Sequence, residues 1–348
     1  MGGFRTLGQP AAIAAARSLL ASGMPHAVLL AGPAGVGKTT LALDIAAALL
    51  CDAEPVDARP CGECRGCRMV EHGNHPDVHR LVPGGAGVLI PIGGRGERGV
   101  RDLVRDLALL PVEGGARVAI VEAADRMSED AQSAFLKTLE EPPSGTTILL
   151  CADDEERLLP TIRSRCVRVR LGPLGIRDVE AVLEAQGVAD PPTAARLARI
   201  TDGRPGHAIA YAAAPGASAI RGEIARTLLD LLGAGLTQRL AGVRELSGRA
   251  ADLARELDAG AARAAAAGTD QTGGATVRRG RGRRSSGAAG PAASAGSGGS
   301  GSAPAAVGGE PPGDEEPVAD VPAARIPAAE RRRGALVLVG IWRSVLRD

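Results

Sequence analysis

The stretch GPAGVGKT, residues 32–39, decides the fold of this chain. It fits the pattern G-x-x-x-x-G-K-[ST] of a phosphate-binding loop. An apolar run, AVLLA at residues 27–31, precedes the loop as a buried strand would, and the apolar stretch TLALDIAAALL, residues 40–50, follows it as a packed helix would. Strand, glycine-rich loop and helix in this order predict a nucleotide-binding α/β domain built on a mostly parallel sheet.

The residue types in the loop indicate how a nucleotide would be held. Glycines let backbone N–H groups turn towards phosphate oxygens, and the following helix adds the positive end of its dipole. The ammonium group of Lys38 supplies a point charge, and the Thr39 hydroxyl is expected to sit on Mg²⁺. The predicted ATP/Mg²⁺-binding residues are Gly32, Pro33, Ala34, Gly35, Val36, Gly37, Lys38, Thr39, Thr40 and Glu122.

The carboxylates that ATP hydrolysis requires are incomplete in this sequence. Glu122 ends an apolar strand at residues 117–122 and can hold Mg²⁺ through a water. The next position, where a water-activating acid belongs, is Ala123, which has no group to accept a proton. Asp125 comes two residues later and is expected to point elsewhere. The sequence therefore predicts a pocket that binds a nucleotide and hydrolyses it weakly or not at all.

Four of the six cysteines fall within 17 residues with the spacing C-x9-C-x2-C-x2-C. Thiolates at this spacing can surround one tetrahedral Zn²⁺, and such a closed site braces a loop without catalysis. The alternative is a set of exposed cysteines that holds no metal. The predicted zinc ligands are Cys51, Cys61, Cys64 and Cys67. The nearby histidines are expected to be surface residues and not ligands: His72, His75 and His79.

Composition excludes several classes of protein. A net charge of +1 argues against a chain whose whole surface binds nucleic acid, and 1% aromatic residues leave no platform for stacking bases. No apolar stretch reaches the roughly 18 to 20 residues of a membrane span, and the N-terminus has no signal-peptide pattern. The sequence predicts a cytoplasmic protein of two or three domains.

Changes in pattern along the chain predict three domains. Residues 1–172 form the nucleotide-binding domain with the zinc module at 51–67, residues 173–214 a small helical lid, and residues 215–348 a helical C-terminal domain. A linker at residues 268–326 interrupts the last domain. It lacks leucine and aromatic residues and cannot bury enough surface to fold, so disorder is predicted.

The linker and the segment after it have further expected roles. The linker is interpreted as a solvated tether, with a weak nucleic-acid contact by its arginine cluster as the alternative. A helix follows over residues 328–346, with Leu336, Val339, Trp342 and the pair Val345–Leu346 on roughly one face. This helix is expected to dock onto the helices of residues 219–267.

Several segments together resemble one family. They are HAVLL at residues 26–30, the four-cysteine insert, AFLKTLEEPP at 134–143 and IRSRC at 162–166. This chain resembles the clamp-loader subunits of the bacterial DNA polymerase III holoenzyme, in the AAA+ group, over residues 1 to about 213. The resemblance implies an AAA+ P-loop domain, a lid and an all-helical collar domain. It also implies gamma/tau and delta subunits as partners, and the sliding clamp and primed DNA through the complex.

Two kinds of subunit share this layout in the family: the ATP-hydrolysing gamma/tau motor and the delta-prime subunit, a rigid partner. Ala123 favours delta-prime, as does Gly206, which stands where the motor has an arginine. The segment at residues 100–115 also resembles delta-prime chains more closely. The intact Lys38 and Thr39 leave ATP binding open, and a gamma/tau motor is the alternative. An unrelated P-loop kinase or zinc-dependent binding protein would leave the IRSRC segment unexplained.

Arg165, within the Ser-Arg-Cys segment, has a role that the resemblance implies. It is expected to act as an arginine finger towards the γ-phosphate of ATP held by the adjacent motor subunit, where a guanidinium stabilises charge on the phosphoryl oxygens. The alternative is a surface charge at the end of a loop. Lys137 and the Glu140–Glu141 pair are interpreted either as interface residues or as a solvated helix end.

Overall fold

The computed structural model describes residues 3–84, 89–94, 96–113, 115–270 and 328–347. Five strands are defined in these ranges: β1 (Ala27–Ala31), β2 (Val78–Leu81), β3 (Arg117–Val121), β4 (Thr146–Ala152) and β5 (Val167–Arg170). The α-helices are α1 (Pro10–Ser22), α2 (Lys38–Leu49), α3 (Arg65–Glu71), α4 (Val100–Leu107), α5 (Glu129–Glu140), α6 (Pro160–Arg163), α7 (Ile176–Ala185), α8 (Pro191–Ile200), α9 (Pro205–Ala212), α10 (Ala217–Leu232), α11 (Leu236–Asp270) and α12 (Ala328–Arg347).

The strands form one sheet in the order β2-β3-β4-β1-β5, and each neighbouring pair is parallel. Every residue of β1, β3 and β4 is buried, as expected for the centre of a sheet covered on both faces. The carboxyl ends of these three strands meet at one edge, where ligands bind in open α/β sheets. The predicted α/β fold class is confirmed: a parallel sheet flanked by helices, with a four-cysteine insert and a C-terminal helical region.

Alternate residues of the central strands pack into two apolar layers. On one face, Leu29 and Leu150 lie in a cluster with Phe135 of α5, which is fully buried. On the other face, Val28 and Leu30 share a cluster with residues of α1, α2 and α3. The first helix after the phosphate-binding loop is therefore held against the sheet along its whole apolar side.

The helices α7 to α12 contribute to a third apolar cluster. Ile341 of α12 is buried in this cluster together with Leu246 of α11, so the predicted docking of the last helix is confirmed. The predicted contact face is wrong for Leu336, Val339 and Trp342, which are exposed, whereas Val345 is partly buried and packs against the cluster. The helix is apolar on more than one side, and the side with Ile341 is the one that packs.

The division into lid and collar at residue 214 stays a prediction. The predicted linker at residues 268–326 lies outside the described residues except at its start, where α11 continues through Asp270. Among the described helices, none combines the length and the apolar character that crossing a bilayer requires.

Candidate nucleotide and metal sites

A cavity of about 580 Å³ lies over the carboxyl edge of the sheet. This is the size of a small-molecule site. All the predicted nucleotide-binding residues except Gly32 and Pro33 line it: Ala34, Gly35, Val36, Gly37, Lys38, Thr39, Thr40 and Glu122. Residues of α7 and α9 line the same cavity, among them Val182, Pro205 and Gly206. The structure thus brings the predicted loop, the end of β3 and the following helices around one space.

Gly32 starts the loop where the chain leaves β1, and only glycine fits there. Its φ is 156°, and a Cβ at this position would lie 2.1 Å from the carbonyl oxygen of Leu171. The absence of a side chain lets the loop turn directly above the segment that follows β5. The carbonyl groups of Gly32 and Pro33 then point at Lys38, which explains how these two residues serve the site without lining the cavity.

Lys38 is almost fully buried, with 7% of its surface exposed. Its Nζ donates to the carbonyl oxygens of Gly32 at 2.8 Å and Pro33 at 2.7 Å, and to Asp153 Oδ1 at 2.7 Å. A lysine ammonium has three N–H donors, so each of them has an acceptor within the chain. Asp153 follows β4 directly and was not predicted as a site residue.

Glu122, at the end of β3, has contacts on both of its carboxylate oxygens. Its Oε2 lies 3.5 Å from the Thr39 hydroxyl, so the two groups expected to hold Mg²⁺ are adjacent. Its Oε1 accepts from Arg80 Nε at 3.0 Å, and Arg80 was also missed in the sequence. The strand order could have indicated this pair, because β2 lies beside β3 and both strands end at the same edge.

No acid follows Glu122 in the cavity wall. Ala123 lines the cavity in a left-handed backbone conformation, with φ 51° and ψ 52°. The prediction that Asp125 points elsewhere is confirmed: it is buried, and its Oδ1 accepts from the backbone N–H of Asp153 at 3.0 Å. Burial raises the pKa of the Asp125 carboxyl. The described cavity wall therefore lacks a carboxylate at the position expected to polarise an attacking water.

Helix α9 begins against the phosphate-binding loop. The N–H of Gly206 donates to the carbonyl oxygen of Gly35 at 2.8 Å. A Cβ on Gly206 would lie 3.1 Å from both the Cα and the carbonyl oxygen of Gly35. Because these two backbones are in contact, a Cβ at position 206 would lie tightly against the loop, and this position, where the family resemblance implies an arginine in a motor subunit, carries no side chain.

The four predicted zinc ligands lie together. Their sulfur atoms are all within 4.8 Å of one another, with Cys51 and Cys64 3.9 Å apart and Cys61 and Cys67 4.0 Å apart. Zn–S bonds of about 2.3 Å in a tetrahedron place sulfurs about 3.8 Å apart, so the cluster fits Zn²⁺. The same geometry would leave no coordination position for a substrate.

Backbone N–H groups point at these sulfurs, as metal-bound thiolates require. Cys61 Sγ accepts from the N–H groups of Cys64 at 3.3 Å and Glu63 at 3.5 Å, and these donors lower the pKa of the Cys61 thiol to about 6. Cys64 also caps α3, because its sulfur accepts from the N–H of Cys67 at 3.4 Å. The first turn of α3 is thus joined to the cluster.

One of the three neighbouring histidines is not a surface residue, so that prediction was wrong for His75. Its side chain is buried, and Nδ1 accepts from the N–H of Asp77 at 3.1 Å. Asp77 is buried as well and accepts from the N–H groups of Val112 at 2.7 Å and Glu113 at 3.0 Å. His75 therefore belongs to a polar cluster that holds the loop before β3. Among the described residues, the candidate metal group holds cysteines only.

Arg165 lies outside the nucleotide cavity of its own chain. Its Nη2 donates to Glu140 Oε1 at 2.6 Å and its Nη1 to the carbonyl oxygen of Thr161 at 2.9 Å. Lys137, Glu140 and Glu141, at the end of α5, are exposed. The guanidinium of Arg165 is therefore oriented at the surface of the chain, away from the nucleotide cavity.

Comparisons with known proteins agree with these features. Residues 8–175 match the sequence profile of the family described as "DNA polymerase III, delta subunit". The delta-prime subunit of Pseudomonas aeruginosa is 45% identical over 148 residues, which is 41% of this chain and 42% of the relative. That of Escherichia coli K12 is 34% identical over 186 residues, 53% of this chain and 54% of the relative.

The chain is also similar in sequence to tau subunits of DNA polymerase III. The Salmonella typhimurium tau subunit of DNA polymerase III is 32% identical over 183 residues, 51% of this chain and 27% of the relative. The chain spans about half the length of the delta-prime relatives it matches. The match to the family profile and the cysteine cluster both fall in the N-terminal part of the chain. Over about half of its length, the chain is therefore similar in sequence to the delta-prime subunits of DNA polymerase III.

Proposed function

We propose that this chain is the delta-prime subunit of a DNA polymerase III clamp loader in the cytoplasm. In that role it is part of the ATP-dependent loader that places the sliding clamp on primed DNA. Its partners are gamma/tau and delta subunits, and it reaches the clamp and the DNA through the complex. It scaffolds the ring, and its own pocket binds ATP/Mg²⁺ with weak or no hydrolysis.

One observation carries this proposal. The cavity has the phosphate-binding loop and Glu122 beside Thr39, but Ala123 occupies the place of the water-activating acid, and the backbone of Gly206 lies where a lid arginine would start. Hydrolysis requires a group that orients the attacking water and cations that neutralise the developing charge. A pocket that lacks both the acid and the lid arginine suits a subunit that binds and does not hydrolyse ATP.

The position of Arg165 supports a further part of the proposed role, the supply of an arginine finger to a neighbouring subunit. Its guanidinium is away from its own cavity, held by Glu140, and partly exposed at 35% of its surface. We assign it the role of a finger acting on ATP in the neighbouring motor subunit. The cysteine cluster would hold a structural Zn²⁺ through Cys51, Cys61, Cys64 and Cys67, which braces the connection between α2 and α3.

The helical C-terminal region supports assembly with partners. Large apolar side chains on α10, α11 and α12 are exposed: Leu229, Leu232, Leu236, Leu240, Val243, Leu336, Val339 and Trp342. Between these helices lies an apolar groove of about 200 Å³. An exposed apolar surface of this kind is typical of a region that packs against other subunits, in line with a collar domain.

The test is ATP turnover by the isolated chain. Purified alone with Mg²⁺-ATP, it is expected to show negligible hydrolysis, and the complex reconstituted with gamma/tau and delta subunits of the same organism is expected to show DNA-stimulated hydrolysis. Substantial turnover by the isolated chain that Lys38→Ala abolishes would exclude a non-hydrolysing subunit.

The second candidate is a gamma/tau-type motor subunit. The intact Lys38 and the contact of Thr39 with Glu122 favour it, as does the identity to tau subunits. Reconstitution of the complex with Lys38→Ala separates the two candidates. Replacing Lys38 in a motor subunit lowers the hydrolysis of the complex, whereas replacing it in a delta-prime subunit leaves hydrolysis unchanged.

A further inference from the structure

Two carboxylates of this chain are bonded to two cations at the edge of the nucleotide cavity. Lys38 Nζ is 2.7 Å from Asp153 Oδ1, and Arg80 Nε is 3.0 Å from Glu122 Oε1. The first pair engages the cation expected to bind phosphate, and the second engages the acid expected to serve Mg²⁺. The charges of Lys38 and Glu122, the two groups expected to bind the nucleotide and its metal, are therefore both paired within the chain.

The Lys38–Asp153 pair follows from the sheet. β1 and β4 are parallel neighbours, with Ala31 opposite Ala152, so the residue after β4 lies beside the loop that follows β1. The backbone of Asp153 is held by its N–H bond to the buried Asp125 carboxylate at 3.0 Å. Asp153 is thus directed at Lys38 by the strand register and by a second acid, and the contact does not depend on a freely moving loop.

A phosphate group would compete with Asp153 for Lys38. The two carbonyl acceptors of Lys38 belong to the phosphate-binding loop itself, so the carboxylate is the one acceptor outside the loop. Lys38 has 7% of its side chain exposed, and an ion pair with so little solvent is screened less than a surface pair. Asp153, at 32% exposure, can turn towards solvent when phosphate enters, but its charge stays near the phosphates.

We propose that Asp153 sets the nucleotide affinity of this site by holding Lys38 in an internal ion pair. The inference rests on the proposed function of the cavity as a nucleotide site and names the residue that controls its occupancy. In this arrangement nucleotide binding requires the exchange of a carboxylate for a phosphate on the same ammonium group. The chain therefore keeps a complete phosphate-binding loop and binds nucleotide weakly.

The experiment measures binding of Mg²⁺-ADP and of inorganic pyrophosphate to the purified chain by titration calorimetry. Asp153→Asn removes the charge and keeps an oxygen that can accept from Lys38. It is expected to raise the affinity for both probes at least five-fold. The matched control is Asp154→Asn, which removes the same charge one residue away at an exposed side chain that bonds the N–H of Glu156 and not Lys38.

A smaller gain for either probe in Asp153→Asn overturns the inference, and so does an equal gain in the control, because the effect is then one of net charge. Thermal unfolding without ligand shows whether Asp153→Asn is folded. If it is not, Asp153→Ser takes its place, with the same five-fold threshold. ATP turnover by the folded variant is a separate result: if it hydrolyses ATP at a substantial rate, the proposed non-hydrolysing role fails while the inference on affinity stands.

Discussion

Arg165 Nη2 lies 2.6 Å from Glu140 Oε1, and this contact joins the Ser-Arg-Cys segment after α6 to the end of α5. An exposed ion pair contributes little to stability, about 0–1 kcal/mol. Its effect is to orient the guanidinium, which keeps a third of its surface free for another molecule. The segments AFLKTLEEPP and IRSRC, which the sequence linked only through the family that both resemble, are thus in direct contact.

Arg165→Ala is expected to lower the rate of ATP hydrolysis in the neighbouring motor subunit by roughly 10³-fold. The reason is that an arginine finger stabilises the charge of the transferring phosphoryl group. The measurement is DNA-stimulated ATP turnover of the reconstituted loader, which should fall by at least the share of one site. Arg170→Ala is the matched control, since Arg170, at the end of β5, is an exposed arginine that is paired with Glu155. Unchanged turnover with Arg165→Ala in an intact complex would contradict the assignment.

The cysteine cluster predicts one equivalent of zinc in the reduced protein. Cys64→Ser removes one ligand and alters the cap of α3, so we expect loss of zinc and a fall in the thermal midpoint of about 5 °C or more, which for a domain of this size corresponds to ~2 kcal/mol. Cys166→Ser is the control: this cysteine is outside the cluster, and its variant should keep the metal. Metal analysis that finds less than half an equivalent in the wild type would be evidence against the site.

Much of the nucleotide and metal sites could be predicted because their patterns are local. The phosphate-binding loop, the strand before it and the missing acid at Ala123 are consecutive in the sequence or nearly so. The cysteine cluster also follows from spacing, since three of its members lie within seven residues. The cap of α5 is local in the same way: Ser128 directly precedes the helix, and its Oγ accepts from the N–H of Ala131 at 3.2 Å.

The ion pairs around the nucleotide cavity could not be predicted from the sequence alone. Arg80 and Glu122 are 42 positions apart, and Lys38 and Asp153 are 115 apart. Each pair depends on which strands are neighbours and in which register, and composition does not contain that information. The buried face of α12 was missed for a related reason: the helix is apolar on more than one side, and only its packing partners decide which side is covered.

Gly206→Ala is expected to destabilise the protein, because the added Cβ would lie 3.1 Å from the Gly35 Cα and carbonyl oxygen, and both are backbone atoms. Overpacking of this kind costs about 1–3 kcal/mol. Gly222→Ala in α10 is the matched control, since nothing lies within 4 Å of its added Cβ. That variant should gain about 0.5–1 kcal/mol from helix propensity. Urea unfolding of both variants measures the difference, and a neutral Gly206→Ala would show that α9 does not press on the loop.

The buried Asp125 predicts a pH-dependent stability of defined sign. Burial raises the pKa of its carboxyl above the ordinary value of 3.8, which holds for the unfolded chain. The folded state therefore binds the proton more tightly. The stability that this provides is complete below pH 3.8 and is lost as the pH rises through the higher pKa of the folded state. At neutral pH the wild type must bury a charged carboxylate.

Asp125→Asn removes that charge and keeps an oxygen to accept from the N–H of Asp153. We expect the variant to be more stable than the wild type at pH 7.5, with the difference shrinking as the pH falls towards 3.8. Urea unfolding at pH 7.5 and at pH 4.5 measures the two free energies, and Asp57→Asn, at an exposed site, should change neither. A wild type that is the more stable protein at pH 7.5 would mean that the negative charge of Asp125 is itself required, because it then stabilises the Asp153 backbone more than its burial costs.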